Sequence, residues 1–413
     1  MIKNLFIQRN IKTKIERALK RSPVVLLTGA RQTGKTTLVK SLFKDNSFSY
    51  VSFDDINVLA AAKKDPVSFL SGLSFPIILD EIQRMPELFL TIKMIVDKNR
   101  QPGMFILTGS ANPLLLPKLS DSLAGRMEII NLFPFSQGEL LGNNEIFIKS
   151  VFSKDIKAIK ENFLSTSDLC KMLVLGGFPG VQKFDELDLS EWFNSYLTAI
   201  LQKDVIDLAQ IEGLIKLPDL LGLIASRVGG LLNVAELSRS SKINASTLHR
   251  YLSLLITLFI VQLQKPWSKN LSKRFVKSPK VYLIDSGILL NLLKINSERL
   301  MQDRNLFGAV FENFVVTEIL KQCSWALGHI DIFHYRTQSA QEVDIVLEGQ
   351  AKQIVGIEVK SSQYIQASDF KGLEDLQKEV GKDFVVGIVS YTGDKKISFG
   401  NNMWAIPVAG LWC

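Results

Sequence analysis

An apolar run at 24–27 leads directly into Thr28-Gly29-Ala30-Arg31-Gln32-Thr33-Gly34-Lys35-Thr36-Thr37, which meets G-x-x-x-x-G-K-[ST] at every fixed position. The glycines let backbone N–H groups converge on phosphate oxygens, and a helix starting near Lys35 adds its positive end. Gly29, Ala30, Arg31, Gln32, Thr33, Gly34, Lys35, Thr36 and Thr37 then line a triphosphate. Lys35 reaches its β and γ phosphates, and Thr36 offers a hydroxyl to magnesium. A second apolar run, 76–79, delivers Asp80 and Glu81. Asp80 suits holding the magnesium water shell, and Glu81 suits orienting and activating an attacking water. The plain alternatives are a glycine turn before a helix and a solvated strand end; the two motifs occurring together argue against both.

Two more residues complete this constellation. Ser110, in Thr108-Gly109-Ser110-Ala111-Asn112 after the run 104–107, stands where a small polar side chain senses a γ-phosphate. Arg126, closing Leu123-Ala124-Gly125-Arg126, is a candidate for stabilising transition-state charge in its own or a neighbouring subunit, set against the plain reading of a surface arginine.

Near the carboxyl end, Glu342-Val343-Asp344-Ile345-Val346 and Val355-Gly356-Ile357-Glu358-Val359-Lys360 read as two strands joined by a short turn. Alternation puts Glu358 and Lys360 on one face. With Asp344 on the neighbouring strand, Asp344, Glu358 and the Val359 carbonyl can hold one magnesium ion while Lys360 positions water during phosphodiester cleavage. An ion-paired sheet edge is the plain alternative.

Between these sites, 233–238 and 244–252 read as two short helices, with Asn244 as a cap. The pair fits a helix-turn-helix, with Ser246, Thr247, His249 and Arg250 facing a groove; a helical spacer is the alternative. The segment 265–280 carries six Lys or Arg and no acid, with Trp267 and Phe275 interleaved, as in a basic wing.

Positioning these groups takes several packed cores, because 413 residues exceed what one core supports. Apolar runs at 24–27, 50–53, 77–79, 105–107 and 128–132 alternate with helical patterns, which implies a parallel sheet with crossover helices. The fold class is therefore multidomain α/β. Its expected parts are a core at 1–145, a helical lid at 146–216, a winged-helix-like segment at 217–294 and a terminal α/β unit at 295–413. The longest apolar stretches, such as 254–261, fall far short of roughly 20 residues, so no bilayer span is expected. The start carries Lys3, Arg9, Lys12, Lys14 and Arg17 without a secretory apolar run, which points to the cytoplasm. Cys170, Cys323 and Cys413 have no metal-site or disulfide spacing. The net charge of +8 favours polyanionic partners in a general way.

The motifs at 29–37, 79–83, 107–110 and 123–126 resemble those of AAA-type ATPases, specifically the prokaryotic subfamily with GxRQxGKTT, LDEIQ, LTGS and LAGR. The resemblance implies ATP with magnesium, a five-stranded parallel sheet and a helical lid, to whose turn Gly176 to Gly180 is similar; no clear lid arginine of the sensor type is present. Lys280-Val281-Tyr282-Leu283-Ile284-Asp285-Ser286-Gly287 resembles a K-x-Y-x-x-D-[ST]-G signature of the same subfamily's extension. The carboxyl-terminal motif resembles the PD-(D/E)xK nucleases, and Glu312 matches their upstream helix glutamate. That likeness implies a second magnesium ion held around Glu312, Asp344, Glu358 and Lys360.

Three readings of the whole chain follow: an ATPase coupled to DNA or other nucleic acid, an ATP-dependent switch of protein assembly, and a metal-dependent nuclease regulated by ATP. They differ in whether DNA, a protein partner or a second copy of the chain is the principal contact.

Overall fold

In the computed structural model, the described residues are 6–43, 47–110, 123–204, 216–337 and 341–412. They form two compact units, one comprising 9–134 with 255–260, the other comprising 1–8, 135–254 and 261–413.

The first unit is built on β1 (Val24–Thr28), β2 (Ser49–Ser52), β3 (Ile77–Asp80), β4 (Phe105–Gly109) and β5 (Met127–Asn131). All pairs are parallel, in the order β2-β3-β4-β1-β5. The expected five-stranded parallel sheet is therefore present. β1, β3 and β4 are buried at every position, which explains why their sequences are continuous apolar runs and not alternating ones. Val24, Leu26, Ile77, Leu79, Phe105 and Leu107 share a core with Leu88, Phe89 and Ile92 of the helix Leu88–Lys98. Asp55 and Asp65 cap the helices Ile56–Lys64 and Pro66–Ser71 by accepting from backbone N–H groups. Parallel order brings every strand's carboxyl end to one edge, and there the loops carrying 29–37, 80–81 and 110 emerge.

The second unit centres on an eight-stranded sheet. Its strands are β6 (Val261–Pro266), β7 (Lys280–Leu283), β8 (Ile330–Arg336), β9 (Glu342–Gly349), β10 (Ile354–Lys360), β11 (Phe384–Tyr391), β12 (Ile397–Ser398) and β13 (Met403–Pro407), in the order β12-β13-β11-β10-β9-β8-β6-β7. β9 and β10 form the expected hairpin, with Ile345 opposite Ile357, so that Asp344 stands beside Glu358. The helix Arg304–Trp325 packs on β8, β9 and β10, and the helix Lys371–Val380 on β9, β10 and β11.

The helices Leu217–Ala225, Val234–Ser241 and Ala245–Thr257 precede the antiparallel β6–β7 pair. Leu231, between the first two helices, bridges to Lys280 of β7. Asn244 accepts from Thr247 N at 2.8 Å, so the expected cap is formed.

The grouping differs from the four expected parts. The boundary falls at 134, not 145, and the described part of 146–216 belongs to the same unit as the carboxyl-terminal sheet. There the helix Thr166–Leu175 packs on the helices Ser286–Leu293 and Ser297–Gln302. The reason lies at the turn expected to be that of a lid. Gly177 N donates to Asp285 at 2.7 Å, and a Cβ at Gly176 would stand 2.2 Å from the same carboxylate. The turn is locked to the Asp285 signature within its own unit. Residues 205–215 lie outside the described set. No helix among the described residues is long and apolar enough to cross a membrane.

Candidate functional site

Gly29 leaves β1 at φ 151°, and a Cβ there would stand 2.1 Å from the Leu132 carbonyl oxygen, so only glycine fits. Gly34 takes φ 91° and caps the helix Lys35–Leu42. Lys35 is buried, its Nζ donating to the carbonyls of Gly29 at 3.0 Å and Ala30 at 2.9 Å. The ammonium is thus already folded over the loop. Arg9, remote in sequence, braces the same loop: it donates to the carbonyls of Thr33 at 2.9 Å and Phe133 at 2.6 Å, and is itself buried.

Asp80, at the carboxyl end of β3, accepts from Thr36 Oγ1 at 3.0 Å on each carboxylate oxygen, from Tyr50 at 2.7 Å and from Thr108 Oγ1. Burial, with the Asp80 hydrogen bond second, pushes the Tyr50 phenol well above the usual tyrosine range. A cluster of hydroxyls and one carboxylate is the hard-oxygen chemistry that suits magnesium with part of its water shell retained.

Glu81 follows in the left-handed region at φ 58°, a conformation uncommon for a side chain of its kind and often kept at functional positions. Its N–H donates to Thr108 Oγ1 at 3.1 Å. Gln83 Nε2 donates both to the Glu81 carboxylate and to Ser110 Oγ at 3.0 Å, joining the two residues expected to act on water and γ-phosphate. Ser110 is buried at the end of β4; Ala111 and Asn112 of the same motif lie outside the described residues.

Arg126 does not join this edge. β5 runs parallel to β1 with Met127 beside Val24, so Arg126 precedes the amino ends of the strands. The length of β1, roughly 16 Å at about 3.3 Å per residue, separates that position from the phosphate loop. Its guanidinium pairs with Asp97. Strand direction therefore excludes the own-subunit role.

In the second unit, Glu312, Asp344, Glu358 and Lys360 come together. Lys360 Nζ donates to Glu358 at 2.7 Å, and Val359 N donates to Asp344 Oδ2 at 2.9 Å. A residue not singled out from the sequence lies among them: Lys280 Nζ contacts Glu312 and Asp344, each at 2.9 Å, and also Glu342. Tyr282 donates to Glu312 at 2.7 Å. Burial, with neighbouring Asp344 second, pushes both Glu312 and Glu358 above the usual carboxylate range. Among the described residues no three His, Cys, Asp or Glu are arranged to share a metal ion. Both Asp344 oxygens already accept, one from Lys280 and one from Val359 N, whereas Glu358 Oε2 is buried without a hydrogen-bond partner.

Ser246, His249 and Arg250 are exposed and Thr247 partly so, while Leu248 between them is buried. The wing candidate 265–280 exposes Leu271 (64%), Phe275 (77%) and Val276 (82%) among its cations.

Sequence reasoning passed over Arg9, Tyr50, Gln83 and Lys280 as site residues. Gln83 and Lys280 stood inside quoted motifs and could have been found by asking what their polar ends would pair with. Arg9 and Tyr50 carry no local signal.

Residues 21–141 match an AAA domain, and two domains of unknown function, DUF8612 and DUF4143, match 166–299 and 307–411. The uncharacterized protein Rv2008c of Mycobacterium tuberculosis is 33% identical over 405 residues, covering 97% of this chain and 83% of its own. The uncharacterized protein MJ1637 of Methanocaldococcus jannaschii is 26% identical over 355 residues, covering 76% and 71%. Among solved structures, the Walker-type ATPase PABY2304 of Pyrococcus abyssi aligns at TM-score 0.45 and 15% identity, over 70% of this chain and 97% of that one. With the phosphate loop, the Asp80–Glu81 pair and the five-stranded parallel sheet in place, residues 21–141 form an AAA-type P-loop ATPase domain, and the chain belongs to the family of Rv2008c.

Proposed function

We propose that this protein hydrolyses ATP with magnesium and couples turnover to nucleic acid held by its helix-turn-helix and wing. The observation that carries hydrolysis is the Thr36–Asp80 contact next to Glu81, on the edge where the phosphate loop opens. Gly29 to Thr37 bind the triphosphate, and Lys35 turns from the Gly29 and Ala30 carbonyls to the phosphates. Thr36 and Asp80 would hold the magnesium ion, which would supply positive charge to the triphosphate. Glu81 accepts a proton from the attacking water once released from Gln83, and Ser110 reports the γ-phosphate through the same amide. Arg126 is assigned to a neighbouring copy's phosphates, the role left to it by its position.

The nucleic-acid part rests on the surface of 217–283. Three helices followed by a strand pair, with the Leu231–Lys280 bridge, have the order of a winged helix. Ser246, His249 and Arg250 stand exposed at the start of its third helix. The wing presents Phe275, with Lys265 Nζ 5.3 Å from its ring centre, beside exposed Leu271 and Val276. Apolar side chains among cations are suited to wedging against bases while neutralising phosphates.

The test is phosphate release from ATP and magnesium, with and without duplex and single-stranded DNA, for the native protein and Glu81→Gln. Stimulation by DNA that vanishes in Glu81→Gln is the expected result. Turnover indifferent to DNA removes the coupling and leaves the protein-assembly switch. Undiminished ATP affinity of Lys35→Ala in calorimetry would overturn the nucleotide site itself.

A further inference from the structure

The carboxyl-terminal acidic cluster contains its own cation. Lys280 is buried, with 3% of its side chain exposed, and its ammonium contacts Glu312, Glu342 and Asp344. An ammonium carries three N–H donors, and three carboxylates surround it. The contacting carboxylates offset the cost of burying the charge, so the side chain is held as an ammonium. The other acid of the motif, Glu358, receives Lys360 on one oxygen, and its Oε2 is buried without a hydrogen-bond partner.

We propose that Lys280 is the resident cation of this cluster: it holds Asp344 Oδ1 while Val359 N holds Oδ2, so the carboxylate that a divalent ion would share with Glu358 or Glu312 is already taken, and the cluster is an ion-paired clasp and not a phosphodiesterase centre. Two positive charges cannot share the space: a divalent ion held by Glu312 and Asp344 would sit within about 3–4 Å of the ammonium and be repelled by it. Because Lys280 opens β7, the strand that leaves the wing segment, the clasp fastens that strand to the helix Arg304–Trp325 and to β9. Tyr282 reinforces it from the same strand by its bond to Glu312. This inference does not depend on the ATPase reading.

The experiment counts Mn2+ bound to the full chain without nucleotide, by electron paramagnetic resonance of the free ion, in the native protein, Asp344→Asn, Lys280→Met and Lys280→Met with Asp344→Asn. Native protein and Asp344→Asn are expected to bind equally. Lys280→Met is expected to gain one site, at least tenfold tighter than any background uptake, that the added Asp344→Asn removes. Its Tm should drop by roughly 10 °C without metal and recover with Mn2+. An Asp344-dependent Mn2+ site in the native protein overturns the proposal, as does a folded Lys280→Met with no new site. Should Lys280→Met fail to fold, the comparison of native protein with Asp344→Asn decides alone.

Discussion

Glu81 is held by Gln83, whose single amide nitrogen also donates to Ser110 at 3.0 Å. The group proposed to activate water is therefore tied to the group proposed to sense the γ-phosphate. A hydrogen bond of this kind contributes on the order of 1 kcal/mol, or about fivefold in an equilibrium. Gln83→Ala is expected to raise basal ATP turnover by roughly that factor and to shrink any stimulation by DNA. A fall to the level of Glu81→Gln would instead make Gln83 a participant in the reaction.

Arg9 fastens the phosphate loop from outside the motif through Thr33 and Phe133. Hydrogen bonds from a charged donor contribute about 1.5–3 kcal/mol each, and part of this goes to shaping the loop. Arg9→Ala is expected to weaken ATP binding about tenfold or more in calorimetry, with Arg9→Lys intermediate because an ammonium lacks the guanidinium fork. Equal affinity in all three proteins would reduce Arg9 to packing.

Arg126 pairs with Asp97 at the sheet edge opposite the loop. Arg126→Ala should leave ATP affinity unchanged and leave Tm nearly unchanged, since the pair is exposed to solvent. If neighbouring copies use it, turnover per chain in the native protein rises with protein concentration and in the variant stays flat. Loss of ATP affinity in a dilute, monomeric sample would contradict the placement.

Glu145 is buried beside Glu318 and Glu139, and burial first, then the Glu318 charge, pushes its pKa up to about 8 despite bonds from Ser136 at 2.6 Å and Gln322 at 3.2 Å. The folded state holds this proton over a range where the unfolded chain has released it. Its contribution to stability is therefore complete below about pH 4.5 and is lost as pH rises toward 8, with a limiting slope of about 1.4 kcal/mol per pH unit. Glu145→Gln should flatten the fall of Tm between pH 5 and 8, the two proteins converging at the acid end. Parallel profiles would show that Glu145 is ionised in the fold.

The candidate nucleotide site was legible because its chemistry is local. Backbone N–H groups can converge on phosphate only from a short glycine-bounded turn, so Gly29 to Thr37 are contiguous, and Asp80 and Glu81 follow a strand that had to be apolar. The β9–β10 hairpin was equally readable from alternation, as was the cap at Asn244. Strand direction was also implicit in the alternation of runs and helices, yet its consequence for Arg126 appears only once β5 lies beside β1.

What the sequence by itself determined is which segments become strands and helices and where the glycine-bounded turn leaves β1 for its helix, because those depend on neighbours within a few residues. The tertiary structure alone decided which distant side chains meet. Arg9 reaches Thr33 across 24 residues, Asp285 locks Gly177 across 108, and Lys280 enters an acidic cluster assembled from a helix and two strands far along the chain. A buried charge must find opposite charge or hydrogen bonds wherever the packing offers them, and its partner's place in the sequence leaves no periodic trace.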